Sequence, residues 1–343
     1  MEKILLILHT NADGSLPKAA LEAVESARQL ACATKESNWA VGLVGAEVQT
    51  AADGIAGCGA GRFFGVSGED YSVSRYATDA AAAEAICRAA EATLILAPAD
   101  SRWMRALPGA AQRLGAAIDT HVAELDTSNG LAVRRWYYRQ RIEAVQSRSA
   151  RPWMILLDAG SAKPWSGEAG EAAVEAVPVE LSDACRRTDV AGVQAPKADE
   201  QTIRPDAALL FVAGAGWTKK QKDGQVHVAE AADLISDFVR SRKASLGSSK
   251  SLVDLSGEGQ AVLPFLTHLH QVGQTGSTPR HPKGLATCCH GEEPHVVGWR
   301  FINERRAINL DANCGWARGK ADVLYVADAF EVLRKLREKL PDA

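Results

Sequence analysis

The chain has 343 residues, of which 46% are hydrophobic and 24% are charged, and its formal net charge is −3. This length and apolar content predict two domains with sizeable cores, and the slightly acidic balance argues against a nucleic-acid-binding surface. The cysteines number seven, an odd count, and none forms a CxxC pair, which favours a reducing, cytoplasmic compartment over a disulfide framework.

The first half of the chain alternates short apolar strands with alanine-rich helices. The opening MEKILLILHT contains an apolar run from Ile4 to Leu8, which is far too short for a membrane span and predicts a buried first strand. The segments that follow it in order are LPKAALEAVESARQLA, WAVGLVG, DAAAAEAICRAAEA and TLILAPA. This alternation predicts right-handed crossovers and a mostly parallel sheet.

Two further strand segments and a polar connection complete this half. LAVRRWYYRQRIEAVQS and RPWMILLDAG predict later strands, partly antiparallel. From about Gly160 to Arg204 the composition turns to Gly, Ala, Ser, Pro and acidic residues, which predicts a loosely structured connection with one edge strand at EAVPVEL. We therefore predict an N-terminal domain over residues 1–200 and a C-terminal domain over residues 201–343.

The C-terminal half begins with DAALLFVAGAGW, a buried strand that runs into a glycine turn. The next helix carries an apolar stripe formed by Leu234, Ile235, Phe238 and Val239. Further strands are predicted at ASLGSS, GLATCC, RAINL and ADVLYVA, and a charged helix at AFEVLRKLREKL. These elements predict a flavodoxin-like or Rossmann-like α/β domain, in which ligands bind where the parallel strands end.

Four polar clusters follow these strands. VAGAGW is compatible with a phosphate-binding turn and equally with an ordinary strand-to-helix turn. SLGSSKSLVD offers backbone N–H groups, hydroxyls and one cation, with a surface turn as an equal alternative. QVGQTGSTP combines glycines, which allow close backbone approach, with Gln and Thr, which supply hydrogen-bonding groups. With CCHGEEPH at the next strand end, these clusters predict a polar ligand.

Three cysteines of this half could take part in a metal centre. Cys288, Cys289 and Cys314, with a histidine next to the first two, could hold a metal ion or an iron–sulfur cluster. The chain lacks a fourth clear ligand, and adjacent residues of a strand point to opposite faces, so small buried thiols are favoured. The sequence has neither a GxSxG elbow nor an HExxH helix, so hydrolysis has no support.

The order of five motifs is similar to that of a known family. LGSSKSLVD, QVGQTG, HGEEPH, INLDAN and VADAFEVL follow one another in this chain. They resemble the alpha subunit of electron transfer flavoproteins, where a Gly-Ala-Ser-Arg turn, Gln-Val-Gly-Gln-Thr-Gly, Ser-Gly-Ala-Ile-Gln-His, Ile-Asn-Lys-Asp and a final Ala-Asp occur in the same order. The resemblance is specific over about 210–335 and weaker but colinear through the first domain, at GSLPKAALEAVESARQL and LPGAAQRLGAAI.

The resemblance implies FAD bound in extended form by the C-terminal domain, with the N-terminal domain packed against a beta-like subunit that can hold AMP. Ser249 would contact the phosphate on the flavin side, Val272 to Thr275 would line the flavin and ribityl chain, and His295 would lie near the pyrimidine ring. Asn309 and Asp328 would reach the adenosine end. The FAD-binding positions implied in this way are Ser249, Lys250, Val272, Gly273, Gln274, Thr275, Gly276, His290, Gly291, Glu292, Glu293, Pro294, His295, Asn309 and Asp328.

Three features depart from the family pattern. The family's arginine in a Gly-Arg-Gly turn corresponds to Ala215, which removes one expected cationic contact. The family's arginine after Ser249 is Lys250 here, which keeps the charge and loses the planar fork of a guanidinium. Glu292 and Glu293 bring two carboxylates next to an expected pyrophosphate, so either their side chains point to solvent or FAD binding is weaker. These departures indicate a divergent member of the family.

The function implied by the resemblance is electron transfer from flavin dehydrogenases to a membrane quinone oxidoreductase, by a subunit of a heterodimer rather than by an enzyme with its own substrate. The flavin would carry the chemistry, and the protein would supply position and electrostatics. One alternative is a non-redox adenine-nucleotide-binding protein of the same fold, and another is a carrier with an added iron–sulfur cluster. A flavoenzyme acting on its own substrate would need an acid–base pair, and the sequence indicates none.

Overall fold

The computed structural model describes residues 2–35, 38–137, 142–192, 203–204, 207–254, 261–272, 278, 280–288, 301–314, 317–318 and 321–339. The chain forms two compact units, with the main division between residues 193 and 194. The predicted domain boundary between residues 200 and 201 lies outside the described residues. Each unit is an α/β structure built on a parallel or mostly parallel sheet, so the predicted fold class is confirmed.

The first unit is built on a nine-stranded sheet with the order β7-β6-β5-β8-β4-β1-β2-β3-β9. Its strands are β1 Ile4–His9, β2 Ala40–Gly45, β3 Arg62–Ser67, β4 Leu94–Pro98, β5 Ala117–Asp126, β6 Ala132–Tyr137, β7 Ile142–Gln146, β8 Trp153–Leu157 and β9 Val174–Ala176. Neighbouring strands run parallel, except that β6 is antiparallel to both β5 and β7. The predicted sheet with a partly antiparallel end is therefore confirmed.

Helices cover both faces of this sheet. They are α1 Lys18–Thr34, α2 Gln49–Gly54, α3 Tyr76–Ala89 and α4 Ser101–Leu114. In β1, Leu6 packs into the core under α1, whereas Leu5 and Ile7 pack into the core under α3 and α4. A strand that is buried on both sides needs apolar residues at every position, which explains the continuous run at the start of the chain.

The edge strand of the polar connection lies slightly earlier than predicted. The sequence placed it at EAVPVEL, residues 175–181, and the structure places β9 at Val174–Ala176, paired in parallel with β3. Pro178 explains the early end, because proline has no backbone N–H to donate to a strand ladder.

The second unit is built on a five-stranded sheet, entirely parallel, with the order β11-β10-β12-β13-β14. Its strands are β10 Leu209–Ala213, β11 Ser245–Ser248, β12 His281–Thr287, β13 Ile302–Asn309 and β14 Val323–Val326, and its helices are α5 Val228–Ser241, α6 Lys250–Asp254 and α7 Ala329–Lys339. The five predicted strands and the two long helices are therefore present. Among the described residues of the whole chain, no helix is long and apolar enough to cross a membrane.

Two core clusters lie on the two faces of the second sheet. Phe211 and Ala213 of β10 pack with α5 and α7, and Leu210 and Val212 pack into the opposite core. One sequence-based argument is wrong here: β12 ends at Thr287, so Cys288 lies beyond the strand and has a left-handed backbone with φ of 56°. Strand alternation therefore does not decide where the Cys288 thiol points.

Candidate functional site

The candidate site is the edge of the second sheet at which its parallel strands end, called here the carboxyl edge. Strand order reverses direction between β10 and β12, because β11 lies on one side of β10 and β12 on the other. In open parallel sheets this kind of reversal creates the crevice in which ligands bind. The residues that follow β10, β11, β12, β13 and β14 are therefore the ones to compare with the predicted site.

The glycine turn after β10 is bonded to the end of β12. The N–H groups of Gly214 and Gly216 donate to the carbonyls of Thr287 and Cys288, both at 2.8 Å, and Trp217 Nε1 donates to Thr287 Oγ1 at 2.8 Å. A Cβ atom added to Gly214 would lie 2.5 Å from the Cys288 carbonyl oxygen, so glycine is needed for this close approach. These contacts favour the ordinary-turn interpretation of VAGAGW over a phosphate-binding one.

Ala215, at the position of the family's arginine, is buried in this turn. Its side chain is 1% exposed and belongs to the core cluster under α5 and α7. A guanidinium at this position would need charge partners in an apolar environment. The local structure thus agrees with a small apolar residue, and the cation expected from the family pattern is replaced by packing.

The turn after β11 holds two of the predicted residues. Ser249 is buried, its N–H donates to the Ala213 carbonyl at 2.9 Å, and its hydroxyl accepts from the Leu252 N–H at 3.4 Å. The hydroxyl therefore caps the short helix α6, which begins at Lys250. Lys250 is exposed at this helix start. Sequence reasoning placed both residues at a strand end, and the structure agrees.

The glycine-rich loop is attached to the same strand end. The N–H of Val272 donates to the Ser248 carbonyl at 3.1 Å, and Gln271 forms an isolated parallel bridge with Ser248. A Cβ on Gly247 would lie 2.5 Å from Val272 Cγ2, so the glycine of this turn is explained by packing of the loop. The predicted residues that lie outside the described part of the chain are Gly273, Gln274, Thr275, Gly276, His290, Gly291, Glu292, Glu293, Pro294 and His295.

A cleft lies where β12, β13 and β14 end. It is lined by Gln221, Cys288, Ile308, Asn309, Leu310, Ala327, Asp328 and Ala329. Asn309 and Asp328, the two residues predicted for an adenosine end, thus border one cleft although they are far apart in the sequence. Asp328 also accepts the Phe330 N–H at 2.9 Å, which fixes one of its carboxylate oxygens at the start of α7.

Two residues at this cleft were missed by sequence reasoning. Gln221 Nε2 donates to the carbonyls of Gly216 at 3.0 Å and Lys219 at 2.6 Å, which holds the side chain against the glycine turn. Lys222 Nζ lies 3.7 Å from Asp328 Oδ2 and 3.5 Å from Glu331 Oε1. Both residues come from a lysine-rich turn with the composition of an ordinary surface loop, so the sequence carried no signal for them.

Cys288 borders the cleft. Burial raises the pKa of its thiol above the ordinary value, and the nearby Asp328 carboxylate raises it further. In the described part of the chain no group of three or more His, Cys, Asp and Glu side chains is placed to hold a metal ion, and Cys289 lies outside that part.

The fold and the cleft together define a two-unit α/β protein whose second unit has the architecture of a nucleotide-binding sheet. The family model described as "Electron transfer flavoprotein domain" matches residues 4–183, which are more than half of the 343 positions. The chain therefore belongs to the electron transfer flavoprotein family, as its motifs indicated.

Two curated relatives are similar to this chain over most of its length. They are the proteins named "Electron transfer flavoprotein subunit alpha, mitochondrial" of Oryza sativa subsp. indica and of Oryza sativa subsp. japonica. Each is 25% identical over 248 residues, which cover 72% of this chain and 65% of the relative. The matched region thus spans slightly less than two thirds of the relatives' length.

Proposed function

We propose that this protein is the alpha-type subunit of an electron transfer flavoprotein, that it holds FAD along the carboxyl edge of the second sheet, and that it transfers electrons from flavin dehydrogenases to a membrane quinone oxidoreductase. Family membership and the similarity to proteins named subunit alpha support this proposal. The observation that carries it is the cleft that Asn309 and Asp328 share at the ends of β13 and β14.

The chemistry of the cleft fits the adenosine end of a dinucleotide. A carboxylate at a strand end can accept hydrogen bonds from ribose hydroxyls, as acidic residues do in other dinucleotide-binding sheets. Ile308, Leu310 and Ala327 provide apolar lining for a base, and Asn309, whose Oδ1 accepts the Asp311 N–H at 3.3 Å, adds an amide to the lining. The cleft is narrow, with room for about one water molecule, so an adenosine end would enter it only if the surrounding residues move apart.

The remaining positions would surround the rest of the cofactor. When bound, FAD supplies the redox chemistry. Ser249 and Lys250 would approach the flavin-side phosphate, the residues from Val272 to Thr275 would line the flavin and ribityl chain, and His295 would donate to the pyrimidine ring. A beta-type subunit would pack on the first unit, and the names of the relatives as subunits support such a partner.

The proposal is tested by purifying the chain with a beta-type subunit, recording its absorption spectrum and identifying the released cofactor. We expect flavin bands and FAD in the extract. A colourless protein that takes up no FAD on titration would contradict the proposal.

The cleft variant is Asp328→Asn, which keeps a good cap for α7 and removes the carboxylate. We expect FAD to bind about tenfold more weakly or worse, because a hydrogen bond to a charged group contributes roughly 1.5–3 kcal/mol. The matched control is Asp322→Asn, outside the cleft, whose carboxylate accepts the Arg305 N–H. Equal FAD affinity in both variants would show that the Asp328 carboxylate does not bind FAD.

A second candidate function is a non-redox adenine-nucleotide-binding protein of the same fold. The specific observation that favours it is Ala215, which is buried where the family's arginine would meet the cofactor. Tight binding of AMP or ADP by a protein that takes up no FAD would establish it.

A further inference from the structure

The Ser248 hydroxyl is a buried polar group that lacks a hydrogen bond. Ser248 is 1% exposed, and its Oγ makes no hydrogen bond within the described part of the chain. Buried hydroxyls are normally bonded to protein or to ordered water, and an unbonded one destabilises the fold. An exception at a candidate site therefore needs a physical explanation.

The position of this hydroxyl is the carboxyl edge itself. Ser248 is the last residue of β11, and the strand register pairs it with Ala213, the last residue of β10. Paired residues of a parallel sheet share a face, so Ser248 lies on the face covered by α5 and α7, the face into which Ala215 also packs. Ser248 thus lies at the same edge and on the same face of the sheet as Ala215, the position at which the family has an arginine.

The other hydroxyls near this strand end have partners. Ser245, in the same strand, accepts from the Arg204 N–H at 2.5 Å and donates to the Arg204 carbonyl at 3.2 Å. Thr287, at the end of β12, accepts from Trp217 and donates to the Val212 carbonyl at 3.2 Å. Ser249 caps α6. Of these four, only Ser248 lacks a hydrogen bond to the residues that the structure describes, so general crowding of the edge does not account for it.

We propose that Ser248 Oγ donates a hydrogen bond to an oxygen atom of the bound dinucleotide, in its phosphate or ribityl segment. This inference rests on the proposed function and adds a residue to it. In the Gly-Ala-Ser-Arg turn of the family, the corresponding residue is alanine, so the hydroxyl belongs to this chain's own way of binding. It supplies a hydrogen-bond donor at the edge where Ala215 stands in place of the family's arginine.

Binding must uncover the hydroxyl, because it is enclosed in the structure. The Ser248 backbone is bonded to the start of the glycine-rich loop, because the Val272 N–H donates to the Ser248 carbonyl. We therefore expect the backbone of Gln271 and Val272 to move away from Ser248 when the dinucleotide binds.

The experiment compares Ser248→Ala with wild type, using the full chain stripped of flavin. Two quantities are measured: the affinity for FAD by titration calorimetry, and the melting temperature without ligand. We expect Ser248→Ala to bind FAD roughly tenfold more weakly, since it loses one donor to the ligand. We also expect its melting temperature without ligand to be unchanged or higher, because an unbonded buried hydroxyl has been removed.

The matched control is Ser245→Ala, which removes a bonded hydroxyl from the same strand. We expect it to lower the melting temperature without ligand and to leave FAD affinity unchanged. If wild type binds FAD and Ser248→Ala binds it equally well, the hydroxyl is a packing defect and this inference fails while the proposed function stands. If wild type binds no FAD, the proposed function and this inference fail together.

Discussion

The two units of the molecule differ in the surroundings of their carboxylates, although both contain buried polar atoms without a hydrogen bond among the described residues, such as Trp103 Nε1 in the first unit and Ser248 Oγ in the second. In the first unit, buried carboxylates are paired with arginines: Asp79 with Arg102 at 2.6 Å, and Asp119 with Arg135 at 2.6 Å. In the second unit, Ser248 has no hydrogen bond within the described residues, and Asp328 borders a cleft. A carboxylate enclosed in an ion pair stabilises the fold, whereas a carboxylate that also borders a cleft is a candidate for binding a ligand.

The ends of the parallel strands show the same contrast. At the ends of β1 and β4 in the first unit, His9 Nε2 lies 3.0 Å from Asp100 Oδ2, and Asp100 also caps α4 by accepting the N–H groups of Arg102 and Trp103. At the ends of β13 and β14 in the second unit, Asn309 accepts the Asp311 N–H at 3.3 Å and Asp328 accepts the Phe330 N–H at 2.9 Å, and both residues also line the cleft. Under the proposed function, we expect a structural role for the polar groups of the first edge and a binding role for those of the second.

The largest effect is expected for Asp119→Ala in the first unit. Asp119 accepts hydrogen bonds from Arg135, Arg148 and the Trp153 indole, so its removal leaves the buried indole and the mostly buried Arg135 without this partner, whereas the exposed Arg148 can turn to water. We expect the free energy of unfolding of the first unit to fall by about 3–5 kcal/mol, measured by urea denaturation. FAD affinity of the folded variant should stay unchanged. A loss of FAD binding would contradict a purely structural role for Asp119.

The control for this variant is Glu175→Ala, which breaks an exposed ion pair with Arg62 and should change the free energy of unfolding little.

The pH dependence of stability gives a second check on Asp119. Burial tends to raise the pKa of Asp119, but hydrogen bonds from Arg148 and Trp153 outweigh burial and lower it. A carboxyl with a lowered folded pKa stabilises the fold above its unfolded pKa of about 3.9, and this contribution is lost as the pH falls through the folded pKa. Wild type should therefore lose more stability than Asp119→Ala in acid below about pH 4.

A smaller effect is expected for Gly214→Ala at the second edge. The added Cβ would meet the Cys288 carbonyl and force apart the glycine turn and the end of β12. We expect unfolding free energy to fall by about 1–3 kcal/mol, and FAD to bind more weakly because Cys288 lines the cleft. Gly54→Ala is the control, since its Cβ would meet nothing within 4 Å. Unchanged FAD binding in Gly214→Ala would show that the turn does not shape the site.

The sequence was sufficient for the fold because apolar runs mark strands that are buried on both faces. The strand at Leu209–Ala213 and the stripe of α5 are of this kind. The bonding of Asp119 to Arg135 could not be predicted, because it depends on the register of an antiparallel pair that no local pattern specifies.

The candidate site was harder to predict than the fold from the residues alone. The resemblance to a family indicated Asn309 and Asp328, whereas no spacing in the sequence would have brought them together. Gln221 was missed because it reaches the cleft through a turn of ordinary composition. The unbonded state of Ser248 depends on what packs around it, and a serine in a serine-rich turn carries no such information.

The most direct test of the central claim is hydrogen–deuterium exchange of the full chain with and without FAD. We expect FAD to slow exchange in the peptides that cover residues 245–254, 268–288 and 301–329, at the carboxyl edge of the second sheet. Peptides that cover residues 9–11 and 98–103, at the strand ends of the first sheet, should exchange at unchanged rates. Protection confined to the first unit, or absent from the peptide that ends β13, would contradict the assignment of the second edge as the FAD site.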